Sequence, residues 1–147
     1  MNVFVLDSDL RKSAEYYTDK DLEKTIKIVA QLLASTYYYS AETIYAPYKL
    51  VKGNRNWITW LRVSASNWMW LCDYGIELYG EYKFRYNARS HRSGELIFFM
   101  SNNKPKLSDN GLTTLPIKSV TACIDAYMEY VNEDSVWTKR DVPWWYT

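Results

Sequence analysis

Apolar positions recur at steps of three and four along most of this chain, and that spacing predicts helices. Leu22, Ile26, Val29, Leu32 and Leu33 share one face, with Lys20, Glu23, Lys24 and Lys27 opposite. The pattern predicts an amphipathic helix from Asp19 to about Tyr39, opened by Thr18 with Asp21 three residues on, a spacing that resembles a capping box. A second seam runs through Trp57, Trp60, Leu61, Ser64, Trp68, Leu71, Cys72, Gly75, Leu78, Tyr79 and Tyr82. It predicts one long helix from Trp57 to Tyr86, with small residues where another helix can approach closely. Val120, Cys123, Ile124, Tyr127 and Val131 predict a last amphipathic helix from Ile117 to Val131, and Ser13 to Tyr17 predicts a short first one.

Other stretches lack that period. Asn2 to Leu6 (NVFVL) reads as a short buried strand or extended arm, followed by the helix-capping types Asp7, Ser8 and Asp9. Ser40 to Asn56, with Pro47 and Gly53, reads as a connection carrying a short helical piece near Ala41 to Tyr45. Glu95 to Met100 (ELIFFM) fits helix or strand equally, and Ser101 to Pro116 reads as a polar surface loop. The segment WTKRDVPWWYT is aromatic enough to predict that Trp137, Trp144 and Trp145 dock onto the body. The fold class expected is therefore mostly α: a compact single-domain helical bundle over residues 1–147, with a short extended segment at its start.

Composition sharpens this picture. The chain has 147 residues, enough for one core without disulfides or metals, and few turn formers, with 5 Gly and 4 Pro. Its 14 Tyr and 7 Trp against 4 Phe are the outstanding feature. Tyrosine and tryptophan join an apolar body to a polar tip, so they suit surfaces that both stack and hydrogen-bond as well as cores. A formal charge of +1 argues against a strongly basic nucleic-acid coat, yet Lys83, Arg85, Arg89, His91 and Arg92 cluster. Cys72 and Cys123 lie in apolar helical patterns, the usage of a reducing compartment. With one histidine and no paired Cys or His spacing, neither a metal site nor a cofactor is expected. The apolar runs are too short to span a bilayer, which predicts a soluble, cytoplasmic protein without a membrane partner.

Hydrolytic triads and phosphate-binding loops are not supported, because His91 stands alone and no glycine-rich run precedes a helix. Two constellations remain. WLRVSASNWMW offers Arg62, Ser64, Asn67 and Trp68 as a charged fork, an amide and an indole, or equally one more packed helix with a surface arginine. EYKFRYNARSHRS places Glu81 four residues before Arg85 and gathers Tyr86, Arg89, His91 and Arg92, either as cations complementing a helix C-terminus or as an anion site beside stacking planes. Tyr37, Tyr38 and Tyr39, with Trp68 and Tyr86, are the aromatics nearest to polar and cationic residues. Asp19, Asp21 and Glu23 suit a helix start as dipole-favourable charges, and one facing a pocket could act as a general acid or base.

Taken together, NVFVLDSD, YYTDK, WLRVSASNWMWL, EYKFRYNARSH, TLPI, AYMEY and TKRDVPWWY resemble a family of small proteins carried by bacterial viruses. That family is distantly similar to the phage pyrimidine-dimer DNA glycosylase of endonuclease V type, a compact helical enzyme. The resemblance implies a catalytic carboxylate at Asp19 or, failing it, Asp21, and an attacking amine at the chain's start. Where the family has histidines around its DK pair this chain has Tyr17 and Asp21, while His91 stands in the expected place. Loss of polar catalytic types with Arg62, Asn67, Arg85 and the tryptophans kept points to retained recognition.

These residues lead to the expectation of a viral protein that binds a nucleotide, such as a cyclic-nucleotide immune signal of the host, and sequesters it as a counter-defence. The ligand-binding residues expected are Arg62, Asn67, Trp68, Arg85, Tyr86, Arg89, His91 and Tyr38. The alternatives are a DNA glycosylase or base-modifying enzyme acting on a flipped nucleotide, and a module that binds a host protein. Homo-oligomerisation stays open.

Overall fold

A computed structural model describes residues 1–43 and 46–146. It is all-helical, with no strand among the described residues: α1 (Leu10–Tyr16), α2 (Asp19–Tyr39), α3 (Arg55–Val63), α4 (Ala65–Arg85), α5 (Arg92–Ser101) and α6 (Val120–Tyr127), the last running into a 3-10 turn (Met128–Tyr130). No described helix is long and apolar enough to cross a membrane.

Helices α2 and α4 form the centre; α3 and α5 lie against both, and α1 lies on α4. Gly75 permits the crossing, since a Cβ there would stand 2.8 Å from Ile97 of α5 and 3.0 Å from Val29 of α2. The segment ELIFFM resolves as helix, within α5. The helical piece near Ala41 to Tyr45 lies partly outside the described residues. The long helix from Trp57 to Tyr86 is instead two helices, because Ser64 is extended (φ −157°, ψ 140°) and turns the chain between α3 and α4.

That corner has a side-chain cause. Asp109, from the loop after α5, accepts hydrogen bonds from the hydroxyls of Ser64 (3.0 Å) and Ser66 (2.7 Å), while Asn110 donates its side-chain amide to the Val63 carbonyl. Asn67 donates to the Trp60 carbonyl (2.9 Å) and to Thr113 Oγ1 (2.8 Å) and accepts the Thr113 N–H (2.9 Å). The serine and asparagine run in VSASN is therefore a pinned interhelical turn, whose polar groups satisfy backbone that no helix satisfies.

The buried tyrosines serve the same need. Val3 to Leu6 is buried and belongs to no helix or strand, so its backbone needs side-chain partners. The Tyr17 hydroxyl accepts the Phe4 N–H (2.9 Å) and donates to the Phe4 carbonyl (2.7 Å), which also accepts from Tyr74. Ser13 accepts the Leu6 N–H and bonds Tyr74. Elsewhere Tyr37 donates to the Asn103 carbonyl beyond α5, Tyr79 accepts the His91 N–H before α5, and Tyr127 accepts the Thr18 N–H before α2. Buried tyrosine rings fill the core while their hydroxyls close the irregular backbone between helices. Tyr37 and Trp68 belong to this interior: both are buried, the rings meet edge to face, and the Trp68 indole donates to Thr36 Oγ1.

The segment after α6 docks through Trp137 and Trp145, both buried, and Trp137 donates to the Tyr16 carbonyl. Trp144, expected to dock as well, is 72 % exposed.

Candidate functional site

Asp19 and Asp21, at the start of α2, line a cleft of about 500 Å³ together with Lys20, Lys24 and Tyr130. Asp19 accepts from the Arg85 guanidinium (2.9 Å) and from both the N–H and hydroxyl of Thr138. Asp21 is buried and accepts the Tyr127 hydroxyl (2.9 Å). The capping box anticipated from Thr18 and Asp21 forms in one direction, with the Asp21 N–H on Thr18 Oγ1; the return bond passes through Tyr127, which accepts the Thr18 N–H and donates to the Asp21 carboxylate. Aspartate is too short to close the box itself, and the phenol bridges the gap.

Arg85 is the hub of a buried charge network. Its side chain is fully buried, with Nε on Glu81 (2.8 Å), one terminal nitrogen on Asp19 and the other on the Glu15 carbonyl (2.9 Å). Glu81 in turn takes a fork from Arg140 (2.9 and 3.0 Å), which also reaches Glu15. The Glu81 and Arg85 pairing follows the four-residue spacing read from the sequence. Arg85 turns inward, however, whereas Arg89 and Arg92 lie beyond the end of α4 and are exposed. Arg85, Asn67 and Trp68 thus have their polar groups engaged inside the fold.

Tyr86, Arg89 and His91 do come together. The Tyr86 ring lies 4.7 Å from that of Tyr82, which meets the His91 ring edge-on at 5.1 Å. His91 Nδ1 accepts the Ser93 N–H and so caps α5, leaving Nε2 to carry the proton toward Glu23 at 3.8 Å. Burial lowers the His91 pKa from 6.5, with Arg89 and Lys27 acting in the same direction and Glu23 opposing them. The unfolded chain therefore takes up the proton first, so this contribution to stability is complete above about pH 6.5 and declines as the pH falls below it. Urea midpoints measured from pH 7 to pH 5 are expected to decrease, and His91→Asn, which keeps a capping side chain, is expected to flatten that decrease.

Arg62 faces a second cleft, of about 320 Å³, between the end of α2, the connection before α3 and α3 itself. Its guanidinium carbon stands 3.9 Å above the centroid of Tyr39, a ring that is 48 % exposed. Lys52 and Arg55 add two exposed cations, Leu50, Val51 and Ile58 add apolar walls, and no carboxylate is among the described residues that line it. The break at Ser64 separates Arg62 from Asn67 and Trp68, so WLRVSASNWMW does not act as one surface. Tyr38 lies on the neighbouring side of α2 and donates to the Tyr48 carbonyl (3.0 Å). Tyr39 is one of the aromatics that the sequence places nearest to polar and cationic residues, whereas Lys52, Arg55 and Tyr48 carry no such signal, because residues in a connection without regular structure have no periodicity.

No protein-family model, curated protein or solved structure matches this chain. Among the described residues no group of three or more His, Cys, Asp or Glu side chains is placed to hold a metal ion.

Proposed function

We propose that the protein binds a nucleotide in the cleft between Tyr39 and Arg62 and holds it without turnover, as a viral protein sequestering a host nucleotide signal would. The observation that carries this reading is the exposed guanidinium of Arg62 held 3.9 Å over the centroid of an exposed tyrosine ring, beside two further cations, with no carboxylate among the described lining residues. A guanidinium held over an aromatic ring can offer a planar face to a base and an N–H edge to phosphate. Lys52 and Arg55 supply phosphate charge compensation, and the apolar wall of Leu50, Val51 and Ile58 suits the ribose and base edge. The volume stands near the lower end of the range for ligand pockets, about 300–1,000 Å³, and so suits a single nucleotide unit. Neither a carboxylate nor a histidine is among the described residues that line the cleft, which supports binding over acid–base catalysis.

Isothermal titration against mono-, di- and cyclic nucleotides tests the reading. Arg62→Ala and Tyr39→Ala are each expected to weaken binding about tenfold, equivalent to about 1.4 kcal/mol, with folding unchanged because both side chains are exposed. Absence of heat across the whole panel would refute it.

A further inference from the structure

The cleft does not end in bare surface. Tyr38, next to Tyr39, bonds the Tyr48 backbone; the Tyr48 hydroxyl lies 2.7 Å from Ser93 Oγ, and the Arg92 guanidinium sits over the Tyr48 ring at 5.8 Å. Ser93 connects in turn to His91, which faces Glu23 and feels the charges of Arg89 and Lys27. Lys20, Lys24 and Lys27 are exposed on one side of α2 at steps of four and three. At about 1.5 Å rise per residue, Lys20 and Tyr38 stand about 27 Å apart along this helix. A run of exposed cations, Lys24, Lys27, Arg89 and Arg92, with the partly exposed rings of Tyr86 and Tyr48 set among them, thus leads to the cleft of Tyr39 and Arg62. Carboxylates also border it: Glu23 faces His91, and the charges of Asp19 and Glu23 reach Tyr86.

We infer that this run is a track for the sugar-phosphate backbone of a single-stranded nucleic acid, whose leading nucleotide occupies the cleft. The inference rests on the nucleotide reading above and names the larger ligand of the same site. Its physical basis is the alternation of cations with aromatic rings. Cations alone would hold a duplex as well, whereas rings set between them gain only from unpaired bases. Tyr48 is the joint of the track, because it touches both the Tyr38 side of the cleft and the Arg92 side of the run.

Fluorescence anisotropy with a labelled oligodeoxyadenylate of about 12 nucleotides, within the usual footprint of single-strand binders, is the test, with calorimetry of deoxyadenosine monophosphate alongside. The oligonucleotide is expected to bind at least about tenfold more tightly than the monophosphate, to outbind a duplex of equal length, and to weaken steeply between about 50 and 200 mM salt. The double variant Arg89→Ala with Arg92→Ala is expected to remove the gain with length and leave the monophosphate affinity in place. Equal affinity for monophosphate and oligonucleotide overturns the track and leaves the nucleotide cleft standing. Preference for the duplex, or an oligonucleotide affinity insensitive to the double variant, also overturns it. Oligonucleotide binding that depends on Arg89 and Arg92 but not on Arg62 supports the track and refutes the cleft as its end.

Discussion

Replacing Arg85 by methionine is expected to lower the unfolding free energy by about 3–5 kcal/mol, the range for breaking a buried ion pair from one side. The guanidinium is fully buried and all three of its nitrogens are engaged, on Glu81, Asp19 and the Glu15 carbonyl. Methionine fills much of the volume but leaves a carbonyl unsatisfied and two carboxylates short of a cation. Glu81 keeps Arg140; Asp19 keeps Thr138 alone. Lysine at this position is expected to recover only part of the loss, since one ammonium cannot reproduce a three-way planar fork. Urea denaturation at neutral pH measures the effect, and an unchanged slope with a lower midpoint would locate it in stability. Pairing the variant with Glu81→Gln should give less than the sum of the two single losses, because the second change removes a carboxylate that the first left under-compensated. At a temperature where the variant is folded, its nucleotide affinity is expected to match that of the unaltered chain, which separates this arginine from Arg62.

Asn67→Asp is expected to destabilise by about 3 kcal/mol or more at neutral pH, and less in acid, given what an unpaired buried charge costs. The asparagine is fully buried; its amide nitrogen serves the Trp60 carbonyl and Thr113 Oγ1, and its oxygen accepts the Thr113 N–H. A carboxylate keeps the last bond but turns the other oxygen, now negative, toward a carbonyl. Burial and that carbonyl both favour the protonated acid, so the folded pKa of the new aspartate lies above its unfolded value. The penalty is therefore smallest below the unfolded carboxylate pKa of about 4 and grows as pH rises through it. Denaturation midpoints across that range, compared with those of Asn67→Ala, check the sign. A pH-independent difference between the two variants would show that the carboxylate finds a partner.

Much of the secondary structure was legible because a helix repeats its environment every 3.6 residues. Helix α2 begins and ends at Asp19 and Tyr39 as its apolar spacing indicates, and Gly75 marks a close crossing as its place in the seam suggests. The division of Trp57 to Tyr86 at Ser64 was not legible, since the hydrophobic seam continues through it. What opens the helix there is Asp109, Asn110 and Thr113, more than forty residues away. A cluster of serine and asparagine at the break was the one local sign, and such residues serve turns and helix interiors alike.

Of the residues that the sequence groups as a candidate site, the fold leaves some at the surface and buries others. Arg62 lines the cationic cleft with Tyr38 beside it, and Tyr86, Arg89 and His91 gather past the end of α4, while Asn67, Trp68 and Arg85 are held inside. Tyr37 and Tyr39 illustrate the difficulty: the two rings differ by two positions, yet one is buried beneath Asn103 and the other lies open under Arg62. Asp19 and Asp21 were read as helix-start charges and do stand there, but their carboxylates are taken up by Arg85, Thr138 and Tyr127.

The amino-acid sequence by itself determined the all-helical class, the central helix and the pairing of Glu81 with Arg85, because these depend on spacing within one helix and on backbone geometry common to all chains. Tertiary structure alone decided which tyrosines close the backbone of the first segment, which arginine is sealed in a charge network, and which one lies open on a ring. Those outcomes depend on partners dozens of residues distant, and an arginine side chain has the same local propensity whether it meets Asp19 in the interior or Tyr39 at the surface.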